Sequence, residues 1–384
     1  MTNYGLNYQL RTYLKIDGND MPVSINDWHD LAMKKLDNGP WGYLEGSAGS
    51  NDTEKNNERS FLKYRIRPRY LRDVSNIDMS IRLFGKRFET PFILGPIGVT
   101  SIIHNDGDIA IAKAAENLGM PFALSTVSSY SIEDVAKAAP NAERWFQLYP
   151  GRDKNIMKSM IRRAEKSGYS AIIVTVDTTM LGWRETDLKN AYLPFLLGYG
   201  IANYITDPEF NARLDKSPEE DMNAAIEEFL SIYVNPGFTW DDFSEIRSWT
   251  RLPLIIKGIT HIDDVKKAFD YNADAVVISN HGGRQVDGAI SSIDALHELS
   301  LNDINGTILF DSGIRHAADA FKAIALGASA VLIGRPYIYA LAVAGQAGIE
   351  RYMDQLRSEF NLEMALSGYG SLSELNRETI YVQK

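Results

Sequence analysis

The architecture of this chain can be inferred from one segment, Ala273-Asp274-Ala275-Val276-Val277-Ile278-Ser279-Asn280-His281-Gly282-Gly283-Arg284. Its first half is a short, β-branched apolar run, which is typical of a strand buried on both faces of a parallel sheet. Its second half places a histidine and an arginine three residues apart on a glycine-rich turn. Because α/β folds carry their chemistry just beyond the ends of such strands, we expect a functional site at His281 and Arg284.

Composition narrows the class of protein. The chain has 384 residues, 45% of them hydrophobic, which is enough for one large core or two ordinary ones. Its net charge of -10 argues against a nucleic-acid surface. The absence of cysteine excludes disulfides, thiolate metal sites and cysteine nucleophiles, and we expect no metal. Residues 1–18 lack a signal-peptide pattern, and no apolar run approaches the roughly 20 residues of a bilayer span. We therefore expect a cytoplasmic protein without membrane attachment.

From residue 91 onward, apolar strand patterns alternate with amphipathic helix patterns. The predicted strands are 92–98, 121–127, 145–149, 171–177, 252–259, 273–280, 307–313 and 329–334. The clearest predicted helices are 108–118, 153–167, 263–271 and 317–326. Eight such units predict an α/β fold, a closed (β/α)8 TIM barrel over residues 91–375, with an open doubly wound sheet as the alternative.

The residues outside this alternation are predicted to be accessory. The N-terminal segment 1–90 is expected to begin with a loose arm (1–20). A helix begun by a capping box at Ser24 should follow, and Asn38-Gly39-Pro40 should stop that helix. After a turn at 41–50, we expect a helix capped by Asn51 and a hairpin at 81–88. About 75 residues separate Asp177 from Leu252, which predicts an insertion after strand 4, at about 180–240. It is either a lid over the mouth or an oligomer contact. Residues 376–384 form a C-terminal tail.

The last residues of the predicted strands, which meet at one mouth in a parallel barrel, are mostly polar residues and glycines. They include Pro96-Ile97-Gly98, Ser125, Gln147, Tyr149, Thr175, Asp177, Lys257, Ser279, His281, Asp311, Gly313, Gly334 and Arg335. A buried polar group without a partner costs about 1–3 kcal/mol, so a plain scaffold has no use for this set. After strands 7 and 8, Gly313, Arg315, Gly334 and Arg335 predict a phosphate site, and therefore a phosphate-bearing cofactor or substrate.

Seven residues suggest chemistry on a small acid. His281 has a candidate carboxylate partner in Asp177, an arrangement suited to a general base. Arg184 and Arg284 together would form a two-cation clamp for a carboxylate. Lys257 would lie inside the mouth, either stabilising an anionic cofactor ring or forming a Schiff base. Tyr43 and Tyr149 could add hydroxyl donors.

These residues resemble the FMN-dependent L-2-hydroxy-acid oxidase and dehydrogenase family, which includes lactate oxidase and lactate monooxygenase. The similarity spans about residues 24–375 and includes the family's Ser-Asn-His-Gly-x-Arg signature, here 279–284. Further matching motifs are Phe146-Gln147-Leu148-Tyr149, Thr175-Val176-Asp177, Lys257-Gly258, Asp311-Ser312-Gly313-Ile314-Arg315 and Gly334-Arg335-Pro336. The resemblance implies a barrel with FMN across its mouth, and usually a homotetramer.

The resemblance also implies a role for each site residue. His281 would remove the hydroxyl proton, Asp177 would steady its imidazolium, and the C2 hydrogen would pass to the flavin. Arg184, Arg284 and Tyr43 would hold the carboxylate, and Tyr149 would meet the hydroxyl oxygen. Lys257 would stabilise the reduced flavin. The remaining residues would contact the isoalloxazine (Pro96, Ile97, Gly98, Ser125, Gln147, Thr175 and Ser279) or the ribityl and phosphate (Asp311, Gly313, Arg315, Gly334 and Arg335).

Two features favour lactate monooxygenase within the family. Gly98 stands where lactate oxidases typically carry alanine, and the motifs Gly182-Trp183-Arg184 and Pro194-Phe195-Leu196 resemble the monooxygenase insertion. We expect L-lactate and O2 to give acetate, CO2 and water. One alternative is an oxidase that releases the 2-oxo acid and hydrogen peroxide. Others are an FMN-dependent barrel isomerase and a non-catalytic flavoprotein.

Overall fold

The computed structural model describes residues 4–16 and 22–383 as one barrel with attached segments. Its strands are β1 (Tyr64–Ile66), β2 (Ile81–Leu83), β3 (Lys86–Phe88), β4 (Phe92–Leu94), β5 (Phe122–Ser125), β6 (Arg144–Leu148), β7 (Ala171–Thr175), β8 (Leu254–Ile259), β9 (Ala275–Ile278), β10 (Thr307–Phe310), β11 (Ala330–Ile333) and β12 (Ile380–Val382).

The helices surround these strands. They are α1 (Tyr4–Tyr13), α2 (Ile25–Lys35), α3 (Asn38–Glu45), α4 (Asp52–Ser60), α5 (Gly107–Leu118), α6 (Ile132–Ala138), α7 (Lys154–Lys166), α8 (Glu185–Lys189), α9 (Ala202–Ile205), α10 (Pro208–Asn211), α11 (Met222–Tyr233), α12 (Trp240–Trp249), α13 (Ile262–Asp270), α14 (Ser292–Ser300), α15 (Ala317–Ala325) and α16 (Arg335–Ser367). Within residues 4–16 and 22–383, none of the helices combines the length and apolarity that crossing a membrane requires.

Strands β4 to β11 form a closed parallel barrel in chain order, with β11 pairing back onto β4. The predicted (β/α)8 fold is therefore confirmed, and the open sheet is wrong. Each predicted strand overlaps an observed one. β6 begins one residue before its predicted start, and β8 ends at Ile259 as predicted. The other strands end earlier than predicted, because their last predicted residues belong to the mouth loops. Both faces of the strands are buried, which explains their continuous apolar runs.

The hairpin β2–β3 closes the N-terminal end of the barrel. Leu83 and Phe88 join the inner cluster of strand residues, and Phe84 meets Trp145 edge to face at 5.7 Å between ring centroids. The predicted hairpin is confirmed, and its packing shows why a segment outside the barrel is retained: it covers the apolar end of the interior.

Three details of the N-terminal prediction need correction. The region predicted as a loose arm contains helix α1, whose Gly5 N–H donates to Asn361 of α16 at 3.2 Å; residues 1–3 and 17–20 of that prediction lie outside the described residues. Helix α2 ends at Lys35 as predicted, but Asn38-Gly39-Pro40 also forms the first turn of α3, because proline in a first helical turn needs no N–H partner. Asn51 precedes α4 without a side-chain cap bond.

The capping box at Ser24 is confirmed. The Ser24 hydroxyl accepts a hydrogen bond from the Asp27 N–H at 3.1 Å, and the Asp27 carboxylate accepts one from the Ser24 N–H at 3.0 Å. Helix α2 consequently begins at Ile25, one residue after the cap.

The long connection between β7 and β8 is packed rather than loose. It carries α8 to α12, and Phe195, Tyr204 and Phe229 form an aromatic cluster with centroid separations of 4.8 Å and 5.1 Å. Tyr233, at the end of α11, continues this cluster and meets Tyr149 at 5.8 Å. The insertion thus reaches the mouth of the barrel.

Candidate active site

A cavity opens at the C-terminal mouth of the barrel. It brings together Tyr43, Pro96, Ile97, Gly98, Tyr149, Arg184, Lys257, His281, Arg284, Asp311, Gly313, Arg315, Gly334 and Arg335. The other five predicted site residues, Ser125, Gln147, Thr175, Asp177 and Ser279, lie at the strand ends next to this lining. The sequence prediction therefore converges on one place.

His281 and Asp177 form a direct pair at this mouth. His281 Nδ1 lies 2.7 Å from Asp177 Oδ1, and its Nε2 lies 3.3 Å from the Tyr149 hydroxyl. The His281 backbone has φ of 59°, a strained value for a non-glycine residue, and its N–H donates to the Ser279 hydroxyl at 3.0 Å. The fixed turn and the carboxylate together hold the imidazole with Nε2 toward the cavity.

The electrostatics of the pair favour an ionised Asp177 and a neutral His281. Burial raises the pKa of Asp177, but the charge and hydrogen bond of His281 outweigh this, so its pKa lies below its usual value. Burial lowers the pKa of His281 below 6.5, and Asp177 offsets only part of this shift. A neutral imidazole is the form that accepts a proton.

Two guanidinium groups lie close to the Tyr43 ring. The guanidinium carbon of Arg284 is 5.0 Å from the centroid of that ring, and the guanidinium carbon of Arg184 is 6.0 Å from it. Arg284 donates to the Tyr43 carbonyl at 2.8 Å and to the Gly46 carbonyl, so neutral groups fix its position. Burial and the charge of Arg184 lower the pKa of Arg284 to about 9. The two cations repel each other, and an anion between them would relieve this repulsion.

Lys257 lies at the bottom of the cavity in an ion pair. Its Nζ is 2.9 Å from Asp311 and 3.1 Å from the Ser279 hydroxyl. Burial lowers the pKa of Lys257, but Asp311 and Asp177 outweigh burial and raise it above the usual value. Because a Schiff base needs an unprotonated amine, this pairing favours the fixed-cation interpretation of Lys257.

Two buried donors at the strand ends lack partners among the described residues. They are the Gln147 side-chain nitrogen and the Thr175 hydroxyl. Gln147 keeps its amide oxygen occupied by the Ser125 hydroxyl at 3.0 Å, so its nitrogen is left to donate. A polar ring system with acceptors on its edge, such as isoalloxazine, would satisfy both groups.

A family model described as FMN-dependent dehydrogenase matches residues 32–382. The chain belongs to this family. It is therefore an FMN-dependent 2-hydroxy-acid oxidoreductase, and the predicted cofactor is confirmed.

Individual relatives of this oxidoreductase support the same assignment. It is 44% identical to an L-lactate oxidase of Lysinibacillus sphaericus, covering 94% of this chain and 92% of the relative. It is 36% identical to 2-hydroxyacid oxidase 1 of Mus musculus, covering 93% and 96%. Among solved structures, a mutant of an active chimera of (S)-mandelate dehydrogenase matches with a TM-score of 0.86 and 33% identity, over 94% of this chain and 99% of that one.

Part of the cavity lining in this FMN-dependent enzyme suits a phosphate. Gly334 precedes α16, so the N-terminus of a helix opens here. Arg315 also lines the cavity and pairs with Glu58 at 2.7 Å. Arg335 donates to the Ser47 hydroxyl at 2.8 Å and to the Gly282 carbonyl at 3.0 Å. Its bidentate contact with a phosphate stays a prediction.

Sequence reasoning missed several residues of this site. Thr178 lies 3.3 Å from His281 Nδ1, and Leu181 and Tyr233 line the cavity. Gln285 follows Arg284 and bonds to Arg184. Thr178 and Gln285 adjoin predicted residues, so adjacency could have found them. Tyr233 lies far along the insertion, and no local pattern marks it.

Gly334→Ala tests the cofactor end of the cavity. A Cβ at Gly334 would have one neighbour within 4 Å, Ile97 at 3.8 Å, so the methyl group would project into the cavity. We expect an unchanged melting temperature of the apoprotein and FMN binding weakened by about tenfold, because the methyl group occupies space that the cofactor needs. Quenching of FMN fluorescence during titration measures this affinity.

Gly237→Ala is the matched control, since its new methyl group meets Asn235 at an ordinary 3.5 Å and lies outside the cavity. Equal FMN affinity of Gly334→Ala and the wild type would contradict this placement of the phosphate end.

Proposed function

We propose that this enzyme oxidises L-lactate with O2 as the acceptor. The observation that carries the proposal is the pair of guanidinium groups, Arg184 and Arg284, which both lie over the Tyr43 ring and line the same cavity as the His281 imidazole. A 2-hydroxy acid carries a carboxylate one bond from its alcohol carbon, so one small molecule can reach both the cations and the imidazole.

Each side chain then has a role in the reaction. Arg184 and Arg284 bind the substrate carboxylate, and Tyr43 supports both. His281 Nε2 accepts the proton of the substrate hydroxyl, and the Asp177 carboxylate stabilises the imidazolium that results. Tyr149, whose hydroxyl lies 3.3 Å from Nε2, orients the substrate oxygen.

FMN, when bound, accepts the two electrons and the hydrogen that leave C2 of the hydroxy acid. We assign its isoalloxazine contacts to Gln147 and Thr175, whose donors lack partners in the described chain, together with Pro96, Ile97, Gly98, Ser125 and Ser279. Lys257 supplies a fixed positive charge at the bottom of the cavity. Asp311, Gly313, Arg315, Gly334 and Arg335 hold the ribityl chain and the phosphate.

The side chains that the insertion contributes to the cavity favour a small substrate. Leu181 and Tyr233 of the insertion line the cavity beside Arg184, and apolar Ile103 and Val127 face it from the barrel.

We propose that residues 180–240 act as a lid on the barrel formed by 91–375, with 1–90 packed against it. Large apolar side chains exposed on this lid, among them Trp183 and Leu197, support the predicted homotetramer.

The fate of the product is the finer part of the proposal. A Cβ at Gly98 would lie 2.4 Å from a methyl group of Val127, so there is no room for alanine beside the ring contacts. If pyruvate stays in the pocket with the hydrogen peroxide formed from O2, the peroxide oxidises it to acetate, CO2 and water. The name of the 44% identical relative, L-lactate oxidase, favours the alternative products, pyruvate and hydrogen peroxide. No comparable observation favours the isomerase.

A product assay tests the proposed function. Purified holoenzyme is given L-lactate and oxygen in parallel assays with and without catalase, and acetate, pyruvate and peroxide are quantified. Catalase removes free peroxide, which would otherwise convert released pyruvate to acetate in solution. We expect about one acetate per O2 consumed, because retained product reacts before it leaves. Pyruvate and peroxide in equal amounts would establish the oxidase alternative, and an absence of lactate-dependent O2 uptake would overturn the substrate.

Asp177→Asn tests the catalytic pair through its pH dependence. Wild-type activity should be lost as the pH falls through the His281 pKa, which lies below 6.5. Asp177 raises that pKa, so its neutralisation should lower the pKa further and move the acid limb of kcat/KM to lower pH. Turnover should also fall by about 10²-fold or more, because the imidazolium loses its counter-ion. Steady-state rates across pH measure both effects.

Asp263→Asn, a change at an exposed carboxylate outside the cavity, should leave the profile unchanged. A shift of the acid limb to higher pH in Asp177→Asn, or full turnover, would contradict the pairing.

A further inference from the structure

Gln285 joins the signature turn to the start of the insertion through four hydrogen bonds. Its Nε2 donates to the carbonyls of Asp177 and Met180, both at 2.9 Å. Its Oε1 accepts from Arg184 Nη2 at 2.9 Å and from the Gly182 N–H at 3.4 Å. A side-chain amide offers two donors and two acceptor sites, so every hydrogen-bonding position of Gln285 is used.

The two segments that Gln285 connects are in close backbone contact. A Cβ at Gly182 would lie 2.4 Å from the Arg284 carbonyl and 2.9 Å from the Gln285 carbonyl, so only glycine fits there. Arg184 Nε also donates to the Arg284 carbonyl at 3.3 Å. The spacing of the two arginines therefore depends on how the insertion is attached to the signature turn.

The Gln285 side chain is uncharged, and this matters for Arg184 as much as the hydrogen bonds that Gln285 makes. Arg184 is 7% exposed, and among the residues that the structure describes its ion pair is with Asp187, at 3.9 Å. Gln285 accepts a hydrogen bond from this guanidinium without neutralising its charge. A carboxylate at the same distance would form a close ion pair and withdraw Arg184 from other anions.

We propose that Gln285 is a positioning residue that fixes Arg184 for carboxylate binding while leaving its charge available. The inference rests on the proposed function of Arg184. Gln285 acts on the substrate through Arg184 and through the loop from Asp177 to Arg184, which its amide holds at both ends. The same amide attaches the base of the insertion to the turn that carries His281.

Two substitutions at Gln285 separate geometry from charge. Gln285→Leu removes all four hydrogen bonds with little change in size. Gln285→Glu keeps the size and the acceptor but removes both donors and adds a negative charge beside Arg184. A purely structural role predicts similar losses in both variants, because both lose the donors to the Asp177 and Met180 carbonyls. The proposal predicts that anion binding is weaker with glutamate than with leucine, because glutamate neutralises Arg184.

The experiment measures oxalate dissociation constants from flavin absorbance changes in holoenzyme, and kcat and KM for L-lactate. Gln285→Leu should weaken oxalate binding and raise KM by about tenfold, with a smaller change in kcat. Gln285→Glu should weaken binding further. In an Arg184→Ala background, already weakened by about 10²-fold, Gln285→Leu should add less than about threefold, because the two residues act on the same contact.

Asn190→Ala is the matched control. Its amide also links the insertion to another segment, donating to the Asn38 carbonyl at 3.2 Å, but it does not line the cavity. It should leave oxalate binding within about twofold of the wild type. FMN content and melting temperature are recorded for every variant, and if Gln285→Leu does not hold FMN, Gln285→Glu carries the comparison with Arg184→Ala.

Each outcome bears on the proposal. A full tenfold effect of Gln285→Leu in the Arg184→Ala background, or a glutamate variant that binds oxalate as the wild type does, would overturn it. If Arg184→Ala weakens binding and neither Gln285 variant does, the inference fails while the proposed function stands. If Arg184→Ala itself binds oxalate normally, the proposed role of Arg184 fails, and the inference fails with it.

Discussion

The hydrogen bond of 2.7 Å between His281 and Asp177 is the contact on which the rest of the site depends. A buried carboxylate is stable only when it is paired, and the imidazole pairs it. The contact joins the ends of β7 and β9, which lie on either side of β8 in the barrel. Gly258 of β8 makes room for it, since a Cβ there would lie 2.5 Å from the Asp177 carboxyl carbon.

The remaining charges of the mouth are arranged around this pair. Lys257 is held by Asp311 at the bottom of the cavity, whereas Arg184 and Arg284 are held mainly by neutral groups. The arginines therefore keep an excess of positive charge that a substrate carboxylate can neutralise. That distribution places the anion next to the one neutral titratable base of the described mouth and away from Asp177.

The fold and most of the site could be predicted because topology forces the ends of parallel strands together. Once eight strand patterns were recognised, Lys257, His281 and Asp311 had to meet at one mouth. Other features depend on tertiary contacts that no local pattern reports. Asn38-Gly39-Pro40 contains residues typical of a helix stop, yet they form the first turn of α3.

The insertion shows the same limit of prediction from local sequence patterns. Its length predicted a segment near the mouth, but the position of Tyr233 depends on the aromatic cluster around Phe229, which forms only when α9, α10 and α11 pack together. Gln285 was visible as the neighbour of Arg284, but its importance arises from contacts with residues about 100 positions earlier in the chain.

The most direct test of the central claim, that the imidazole removes the substrate proton, is the anaerobic rate of flavin bleaching by L-lactate in His281→Ala. We expect the variant to retain FMN and its yellow colour but to be bleached at least about 10³-fold more slowly than the wild type. Bleaching within about tenfold of the wild-type rate, with FMN fully bound, would contradict it.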